Sequence, residues 1–316
     1  MPPSLVITIP CFNEDAVLTE TVGRLSELVR ELISDQNLIA PGSRILLVND
    51  GSTDNTWPVI QQLHQTNPFV CGLNLAGNVG QQNALMAGLE TAKEFGDIVV
   101  TIDADLQDDI GIIPEMIQKY LTGCDIVYGV RKERKTDTWF KRVTARGFYK
   151  LMDRLGVKSV YNHADYRLMS KRAVEQLCRY QERNLFLRGI IPTLGYKTAF
   201  VYYDRAERFA GESKYPLRKM VNFALDGITS FSIRPVRIIS LIGVVFLLIA
   251  LGIFVYVVFS LIRGNTVSGW ASLILSIWLI GGCTLLGIGV IGEYIGKIYL
   301  EVKNRPRYNI ESRLLK

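Results

Sequence analysis

Residues 103–108 are the strongest candidates for metal chemistry in this chain. They read DADLQD and follow directly after the apolar, strand-like run Ile98–Ile102. Along an extended backbone, side chains two residues apart share a side, so Asp103, Asp105 and Gln107 could converge on one point. Oxygen ligands suit Mg²⁺ or Mn²⁺, and Mg²⁺ is usually bound by one or two carboxylates together with substrate phosphates. The pattern predicts a divalent-metal site for a phosphate-bearing substrate, with a solvated acidic turn as the alternative.

The N-terminal part of the chain alternates short apolar runs with helical patterns, and it must supply the elements that position these residues. The predicted strands are Leu5–Ile9, Arg44–Val48, Val70–Leu75, Asp97–Ile102, Asp125–Tyr128 and, later, Thr198–Tyr203. The predicted helices are Asp15–Ser34, Thr56–Gln65, Gln81–Phe95 and Ile112–Tyr120. Such alternation favours an α/β fold with a mostly parallel sheet, which binds ligands at the carboxyl ends of its strands.

Three more predicted strand ends carry polar residues. The segments that follow them are Pro10–Glu14, Asn49–Asp54 and Asn78–Gly80. Each segment alone fits ordinary turn chemistry, in which Asn, Asp, Gly and Ser are common. Together with residues 103–108 they place polar groups at four strand ends, and this indicates one shared site.

Two long uncharged stretches predict a membrane hairpin. Residues 238–262 and 264–292 contain no charged side chain, and each exceeds the roughly 20 apolar residues that cross a bilayer. We predict spans at about 236–262 and 270–292, with a buried hairpin in a soluble core as the alternative. The segment 297–316 carries six basic residues, whereas the turn 263–269 carries one. The positive-inside tendency therefore places both termini in the cytoplasm.

These features divide the chain into four parts. Residues 1–212 are predicted to form a cytoplasmic α/β domain, and 236–292 a two-helix hairpin in the plasma (inner) membrane. Between them, 213–235 fits an amphipathic helix at the membrane surface, with packing on the protein's own core as the alternative. Residues 293–316 are predicted to form a basic cytoplasmic tail.

Charge and cysteine content narrow the possible partners. The net charge is +6, and residues 131–154, which include a predicted basic helix at 138–155, hold nine basic and three acidic side chains. No helix-turn-helix, zinc-finger or aromatic RNA-binding signature accompanies this segment, so we expect no nucleic-acid partner. The five cysteines are scattered, which fits a reduced compartment and indicates neither a disulfide framework nor a zinc site.

The motifs together resemble those of family 2 glycosyltransferases with the GT-A fold. Within that family the chain resembles the polyisoprenyl-phosphate glycosyltransferases, which include dolichol-phosphate mannose synthases, and most closely the bacterial undecaprenyl (bactoprenol) phosphate glucosyltransferases. The resemblance covers nearly the whole length. The motifs that carry it are Ile9–Glu14, Val48–Asp54, Asp103–Asp108, Tyr128–Arg131, Asp165–Met169 and Arg208–Tyr215.

The resemblance implies inverting transfer of a hexose from a nucleotide sugar to undecaprenyl or another polyprenyl phosphate at the cytoplasmic membrane face. Glucose from UDP-glucose is expected, with Mg²⁺ or Mn²⁺ as cofactor. GDP-mannose, a UDP-N-acetylhexosamine or a UDP-aminoarabinose derivative are alternative donors. A processive polysaccharide synthase is the other enzymatic alternative, although its usual Q-x-x-R-W motif does not occur here. The glycine-rich second span suggests a homo-oligomer.

The resemblance also implies roles for individual residues. The nucleoside would contact Pro10, Phe12, Glu14 and Asp50. The nucleotide pocket would be lined by Asp103 and Ala104, and the metal on the donor diphosphate would be held by Asp105 and Gln107, with Asp103 as a further possible ligand. Donor or acceptor phosphates would contact Arg131, Arg208 and Lys214.

Catalysis is expected to depend on Asp105, Arg131 and Asp165. Asp165 has two possible roles: a base, or the partner of Arg167 in a buried ion pair. The acceptor and the membrane surface would contact Arg134, Lys141, Arg142, Arg146 and Ser213.

Overall fold

The computed structural model describes residues 1–35, 37–132, 163–183, 185–204, 234–263 and 269–316. In chain order its elements are β1 (Leu5–Cys11), α1 (Asp15–Ser34), β2 (Arg44–Asn49), α2 (Thr56–Thr66), β3 (Val70–Leu75), α3 (Gln81–Ala92), β4 (Ile98–Thr101), α4 (Ile113–Leu121), β5 (Ile126–Arg131), β6 (His163–Ser170), α5 (Lys171–Cys178), α6 (Leu187–Thr193), β7 (Thr198–Tyr203), α7 (Arg234–Ile262), α8 (Trp270–Val302) and β8 (Ile310–Leu314). A 3₁₀ turn at Ile110–Ile112 leads into α4.

The strands form one sheet in the order β7-β5-β6-β4-β1-β2-β3-β8. Strands β6 and β8 run antiparallel to their neighbours, whereas β1 to β5 and β7 all point the same way. The predicted α/β fold with a mostly parallel sheet is therefore confirmed. We call the edge at which β1 to β5 end, at Cys11, Asn49, Leu75, Thr101 and Arg131, the carboxyl edge.

Helices cover both faces of the sheet. Along β1, Leu5 and Ile9 belong to the same core as Leu18 of α1, while Val6 belongs to the opposite core with Met86 of α3. Helices α1, α2 and α4 contribute to the first core, and α3, α5 and α6 to the second. Parallel strands buried on both faces read as nearly continuous apolar runs, and this explains why the early strands were predictable from sequence.

The elements predicted in the first part of the chain are confirmed within a few residues. Strand β4 is shorter than the predicted 97–102, and α3 ends at Ala92 rather than at Phe95. The late strand predicted at 198–203 is present as β7. The basic helix predicted at 138–155, and the amphipathic helix predicted at 213–235 up to residue 233, lie outside the described residues.

Strand β6 has no counterpart among the predicted elements. It lies antiparallel between β4 and β5, with Arg167 opposite both Thr101 and Tyr128. The charged residues Asp165 and Arg167 interrupt the apolar pattern that marks a buried strand, although both are buried here. Because β6 runs opposite to β4, its beginning lies at the carboxyl edge and brings Asp165 to that edge.

Two long helices, α7 and α8, follow the sheet domain. Among the described residues one helical segment, Leu279–Val302, is long and apolar enough to cross a membrane. Its apolar side chains are widely exposed, as at Leu286 (74%), and an exposed apolar surface of this extent is typical of a lipid or protein contact. A Cβ added to Gly287 would lie 3.2 Å from Ile239 Cγ2, so α7 and α8 approach each other closely there. The two-span hairpin and its orientation remain predictions.

The C-terminal segment packs against the sheet domain. Strand β8 pairs antiparallel with β3, and Leu314 lies over Gly72, where an added Cβ would be 3.2 Å from the leucine Cδ1. Before the strand, the Tyr308 hydroxyl donates to Glu90 of α3, and Arg307 donates to the Tyr180 carbonyl. Part of the segment predicted as a basic tail is therefore an edge strand of the sheet.

Because α3 packs closely on β1 and β2, we expect Gly88→Ala to destabilise the protein, although alanine normally favours a helix more than glycine does. Alanine favours helices over glycine by about 1 kcal/mol, but a Cβ at Gly88 would overlap Thr8 Cγ2 and lie 2.9 Å from Val48 Cγ2. Since overpacking a core costs ~1–3 kcal/mol, we expect the free energy of unfolding to fall. Urea denaturation of the detergent-solubilised protein would measure it.

The matched control is Gly23→Ala in α1, where an added Cβ meets nothing within 4 Å. This substitution should leave stability unchanged or raise it by up to about 1 kcal/mol. A Gly88→Ala protein as stable as the Gly23→Ala protein would contradict the packing described here.

Candidate functional site

The register of the parallel strands gathers four loops at the carboxyl edge. Cys11 of β1 pairs with Asn49 of β2, and Asn49 pairs in turn with Asn74 of β3. On the other side of β1, Thr8 pairs with Thr101 of β4. The polar segments after β1, β2 and β3 therefore start almost level with one another, and the segment after β4 starts three residues lower at the same edge of the sheet. This confirms the expectation that the predicted strand ends lie together.

Asp50 holds the loop after β3 in place. Its carboxylate accepts hydrogen bonds from the backbone N–H of Val79 (2.7 Å) and of Gly80 (3.0 Å). Its own N–H donates to the Cys11 carbonyl (2.9 Å). Burial raises the pKa of Asp50, while the two backbone donors lower it, with a net shift upward. Asp50 thus organises the start of α3, and its predicted contact with a nucleoside stays a prediction.

Glycine is required beside Asp50. Gly51 has a φ of +61° and lies so close to Gly77 and Asn78 that an added Cβ would overlap their backbone atoms. Gly80, at the start of α3, has a φ of +86°. Both conformations are strained for other residues. The loops after β2 and β3 consequently pack backbone against backbone.

The loops after β1 and β2 are joined by hydrogen bonds. The Asn13 N–H donates to Ser52 Oγ (3.0 Å), and the Thr53 N–H donates to Asn13 Oδ1 (2.9 Å). The Glu14 N–H donates to Thr56 Oγ1 (2.9 Å). Phe12 projects from this joined pair of loops with 39% of its surface exposed. An exposed ring on a fixed loop is suited to contact a flat ligand, and Pro10, Phe12 and Glu14 remain predicted nucleoside contacts.

The acidic loop after β4 is fixed by its backbone. The Ala104 carbonyl accepts from Thr21 Oγ1 of α1 (2.8 Å), and Leu106, at a φ of +55°, reverses the chain. The Asp105 carboxylate accepts from the Gln107 N–H (3.2 Å). Asp103 is oriented differently, because its carboxylate accepts from Gln81 Nε2 of α3 (2.9 Å). Asp103 therefore lies on the side of the loop that faces α3.

Negative charge accumulates around this loop. Burial and repulsion from Asp165, Asp108 and Asp105 raise the pKa of Asp103 to about 7, and Arg131 opposes that shift. Asp108 Oδ2 is buried without a hydrogen-bond partner in the described part of the chain. A divalent cation would reduce this repulsion, and carboxylate and amide oxygens are suitable ligands for one.

The same loop is not a complete metal site on its own. Within the described ranges, no group of three or more His, Cys, Asp or Glu side chains is arranged to hold an ion. The donor set fits an ion that is bound partly by the protein and partly by substrate phosphates, as is usual for Mg²⁺. Asp105 and Gln107, both partly exposed, are the residues best suited to hold it.

Arg131 at the end of β5 is held by two residues. Its guanidinium donates to Asp108 Oδ1 (2.9 Å) and to the Tyr203 hydroxyl (3.1 Å), and that hydroxyl also donates to Asp108 Oδ1 (2.5 Å). Burial lowers the pKa of Arg131, but Asp108 and Tyr203 together raise it by more, so the net shift is upward. With 24% of its side chain exposed, Arg131 presents a fixed positive charge at the carboxyl edge.

The sequence did not reveal the role of Tyr203. It ends the predicted late strand at 198–203, and nothing in that pattern connects it with Arg131. The signal for Asp108 was stronger, since it closes the acidic motif. Only the parallel pairing of β7 with β5, which sets Tyr203 beside Arg131, brings the three residues together.

Asp165 lies in a buried network of charges. Its carboxylate accepts from Arg167, which is fully buried, and from Arg188 Nη2 of α6 (3.2 Å). Burial lowers the pKa of Arg167 and Asp165 raises it, with a net shift downward. The ion pair of Asp165 with Arg167 is one of the two alternatives offered by the sequence, whereas the part of Arg188 was not expected. A role for Asp165 as a base stays a prediction.

Several predicted contacts fall outside the described ranges. They are Arg134, Lys141, Arg142, Arg146, Arg208, Ser213 and Lys214. Of the basic residues proposed for phosphate binding, Arg131 is the one that the structure places at the carboxyl edge. The assignments of the others to the donor, the acceptor or the membrane surface remain predictions.

Comparison with known proteins gives three kinds of similarity. The family described as "Glycosyl transferase family 2" matches residues 6–178. "Uncharacterized glycosyltransferase YkoT" of Bacillus subtilis is 57% identical, over 98% of this chain and 91% of its own. "SfII prophage-derived bactoprenol glucosyl transferase" of Shigella flexneri is 44% identical, over 96% of each chain.

Among solved structures, similarity is more distant. Glucosyl-3-phosphoglycerate synthase from Mycobacterium tuberculosis, in complex with Mn²⁺, UDP-glucose and phosphoglyceric acid, is 20% identical with a TM-score of 0.46. The match covers 72% of this chain and 78% of that one. A likeness at this distance carries no information on the substrate or the metal of the present chain.

The charge network predicts that Asp165→Asn is strongly destabilising. The substitution removes the carboxylate from the fully buried Arg167, and breaking a buried ion pair in this way costs ~3–5 kcal/mol. Chemical denaturation should detect the loss. The control is Asp105→Asn, which keeps an oxygen for the Gln107 N–H and should change stability by less than ~0.5 kcal/mol. Equal stabilities for the two variants would contradict the structural role of Asp165.

Proposed function

We propose that this chain, which belongs to glycosyl transferase family 2, transfers glucose from UDP-glucose to undecaprenyl phosphate or a related polyprenyl phosphate. Its mostly parallel α/β sheet is the GT-A-like fold of the family. The observation that carries the proposal is 44% identity, over 96% of the chain, to a relative named bactoprenol glucosyl transferase. The polar loops gathered at the carboxyl edge provide a site for the donor, as ligand binding in open α/β sheets requires.

The carboxyl edge offers complementary groups for a nucleotide sugar. The joined loops after β1 and β2, with the exposed Phe12, would receive the nucleoside. Asp105 and Gln107 would hold a divalent cation on the diphosphate. When bound, Mg²⁺ or Mn²⁺ would neutralise the charge that develops on the departing UDP. The donor's own phosphate oxygens would complete the coordination, consistent with the incomplete ligand set of the protein.

We propose that Arg131 supplies the positive charge that contacts the phosphates. In the transfer, the bond between the anomeric carbon and the UDP oxygen breaks, and UDP leaves with the electron pair. An oxygen of the lipid phosphate forms the new bond on the opposite face, which inverts the anomeric centre. A guanidinium fixed by Asp108 and Tyr203 stabilises negative charge without having to reorganise during the reaction.

The nature of the acceptor explains why a base is not needed. A phosphomonoester has a second pKa near ~6 and is therefore mostly a dianion at neutral pH. Such a nucleophile carries no proton that must be removed before attack. Asp165 can therefore remain in its ion pair with Arg167, because the acceptor phosphate needs no base for its attack.

Membrane attachment would bring the enzyme to its acceptor. The apolar segment Leu279–Val302 is proposed as a span, with α7 as its partner in a hairpin. Lipid-linked phosphate is confined to the bilayer surface, so anchoring raises its concentration near the carboxyl edge. The cytoplasmic orientation follows from the basic residues after α8, under the positive-inside tendency.

A transfer assay tests this function. The protein in detergent or vesicles is incubated with radiolabelled UDP-glucose, Mn²⁺ and undecaprenyl phosphate, and label is counted after solvent extraction. We expect lipid-extractable label that depends on the polyprenyl phosphate and disappears with EDTA. Parallel reactions with labelled GDP-mannose, UDP-N-acetylglucosamine and a UDP-aminoarabinose derivative establish the sugar. Lipid label from none of these donors would contradict glycosyl transfer to a polyprenyl phosphate.

A further inference from the structure

The C-terminal strand contains an irregularity next to the carboxyl edge. Leu75 of β3 pairs with Ile310 of β8, whereas Asn74 pairs with Ser312, so Glu311 is an extra residue between two paired positions. Such a β-bulge changes the direction of a side chain. The Glu311 carboxylate accepts a hydrogen bond from Asn74 Nδ2 (2.7 Å). The bulge thus directs a charged group onto a buried residue of the neighbouring strand.

This hydrogen bond is the first in a series of hydrogen bonds that reaches the loops after β2 and β1, where the nucleotide sugar is proposed to bind. Asn74 Oδ1 accepts from Asn49 Nδ2 (2.7 Å), and Asn49 Oδ1 accepts from the Ser52 N–H (3.3 Å). Ser52 Oγ then accepts from the Asn13 N–H (3.0 Å). Both amide side chains are buried, with exposures of 3% for Asn49 and 7% for Asn74. The chain therefore links β8 to the loops after β2 and β1.

Both ends of this chain favour the same direction of its bonds, because the Glu311 carboxylate only accepts and the Ser52 N–H only donates. An ionised carboxylate only accepts hydrogen bonds, so Asn74 must present its NH₂ group to Glu311. Asn74 then presents its oxygen to Asn49, which must offer its own NH₂ group. The oxygen of Asn49 is left for the Ser52 N–H. A donor at position 311 would oppose this orientation, because the NH₂ group of Asn74 would then face another donor while the Ser52 N–H still holds the oxygen of Asn49.

We propose that Glu311 is a positioning residue, which together with the Ser52 N–H holds two buried amides in one orientation and thereby supports the conformation of the loop that binds the nucleotide. The inference rests on the proposed function, because a nucleotide is the ligand expected at these loops. It also connects the donor site with the membrane anchor, since β8 follows directly after α8 and its preceding segment is docked through Arg307 and Tyr308.

Three substitutions at one position test the proposal in the full-length protein. Glu311→Gln keeps an oxygen that can accept from Asn74. Glu311→Ala removes the acceptor, and Glu311→Lys places a donor against the NH₂ group of Asn74, which the Ser52 N–H prevents from reversing without strain. Arg313→Ala is the control, because Arg313 lies on the same strand and its side chain makes a surface ion pair with Glu94 (3.5 Å). UDP affinity in Mn²⁺, KM for the donor, kcat and thermal stability are measured for each variant.

We expect UDP affinity to stay within about twofold of wild type for Glu311→Gln, to fall roughly threefold for Glu311→Ala and to fall about tenfold for Glu311→Lys. KM for the donor should rise in parallel while kcat changes little. The Arg313→Ala protein should bind UDP as wild type does. All four substitutions alter β8 at the same edge of the sheet, so a loss of strand stability alone would affect all four variants. The expected order among the Glu311 variants would instead depend on whether residue 311 accepts or donates a hydrogen bond.

The proposal is overturned if the three Glu311 variants bind UDP equally, if Glu311→Gln is as weak as Glu311→Ala, or if Arg313→Ala weakens UDP to the same extent. Each of these results would mean that the amide orientation does not depend on the acceptor at position 311. A wild-type protein that binds no UDP is a different result, because it removes the proposed function itself.

Discussion

The parallel pairing of β1 with β2 on one side and with β4 on the other is the constraint on which the site depends. Both pairings bury apolar residues on two faces, and a slip by one residue would turn those residues toward the wrong core. The register is therefore fixed by the cores, and it sets where each strand ends. Four loops whose sequences lie far apart start at the same edge of the sheet because the cores fix this alignment.

The site combines loops whose backbones are held by hydrogen bonds with several carboxylates that lie close together. The Asp50 carboxylate is used to build the loop before α3, and Asn13 and Ser52 join the loops after β1 and β2. The charges around residues 103–108 are balanced only in part by Arg131, so burial together with the remaining repulsion raises the pKa of Asp103. A rigid site with excess negative charge and one ordered guanidinium is suited to a cation and a diphosphate that arrive together.

The parallel strands could be predicted from the sequence, whereas a strand that buries charged side chains could not. Strands β1 to β5 were predictable because their apolar runs are continuous. Strand β6 was not, since Asp165 and Arg167 form an ion pair inside the core and interrupt the apolar strand pattern. Strand β8 lies in a basic tail whose charges suggested a solvated segment. The support of Arg131 by Tyr203 depends on the pairing of β7 with β5, which no local pattern encodes.

The central claim is that Asp105, at the carboxyl edge, holds a metal ion shared with the donor diphosphate. Calorimetric titration of UDP, with Mn²⁺ and with EDTA, into the wild-type protein and an Asp105→Ala variant tests it most directly. We expect Mn²⁺ to strengthen UDP binding to the wild type, and we expect this metal dependence to be lost in the folded variant. UDP binding that is independent of Mn²⁺ in the wild type, or fully Mn²⁺-dependent in Asp105→Ala, would contradict it.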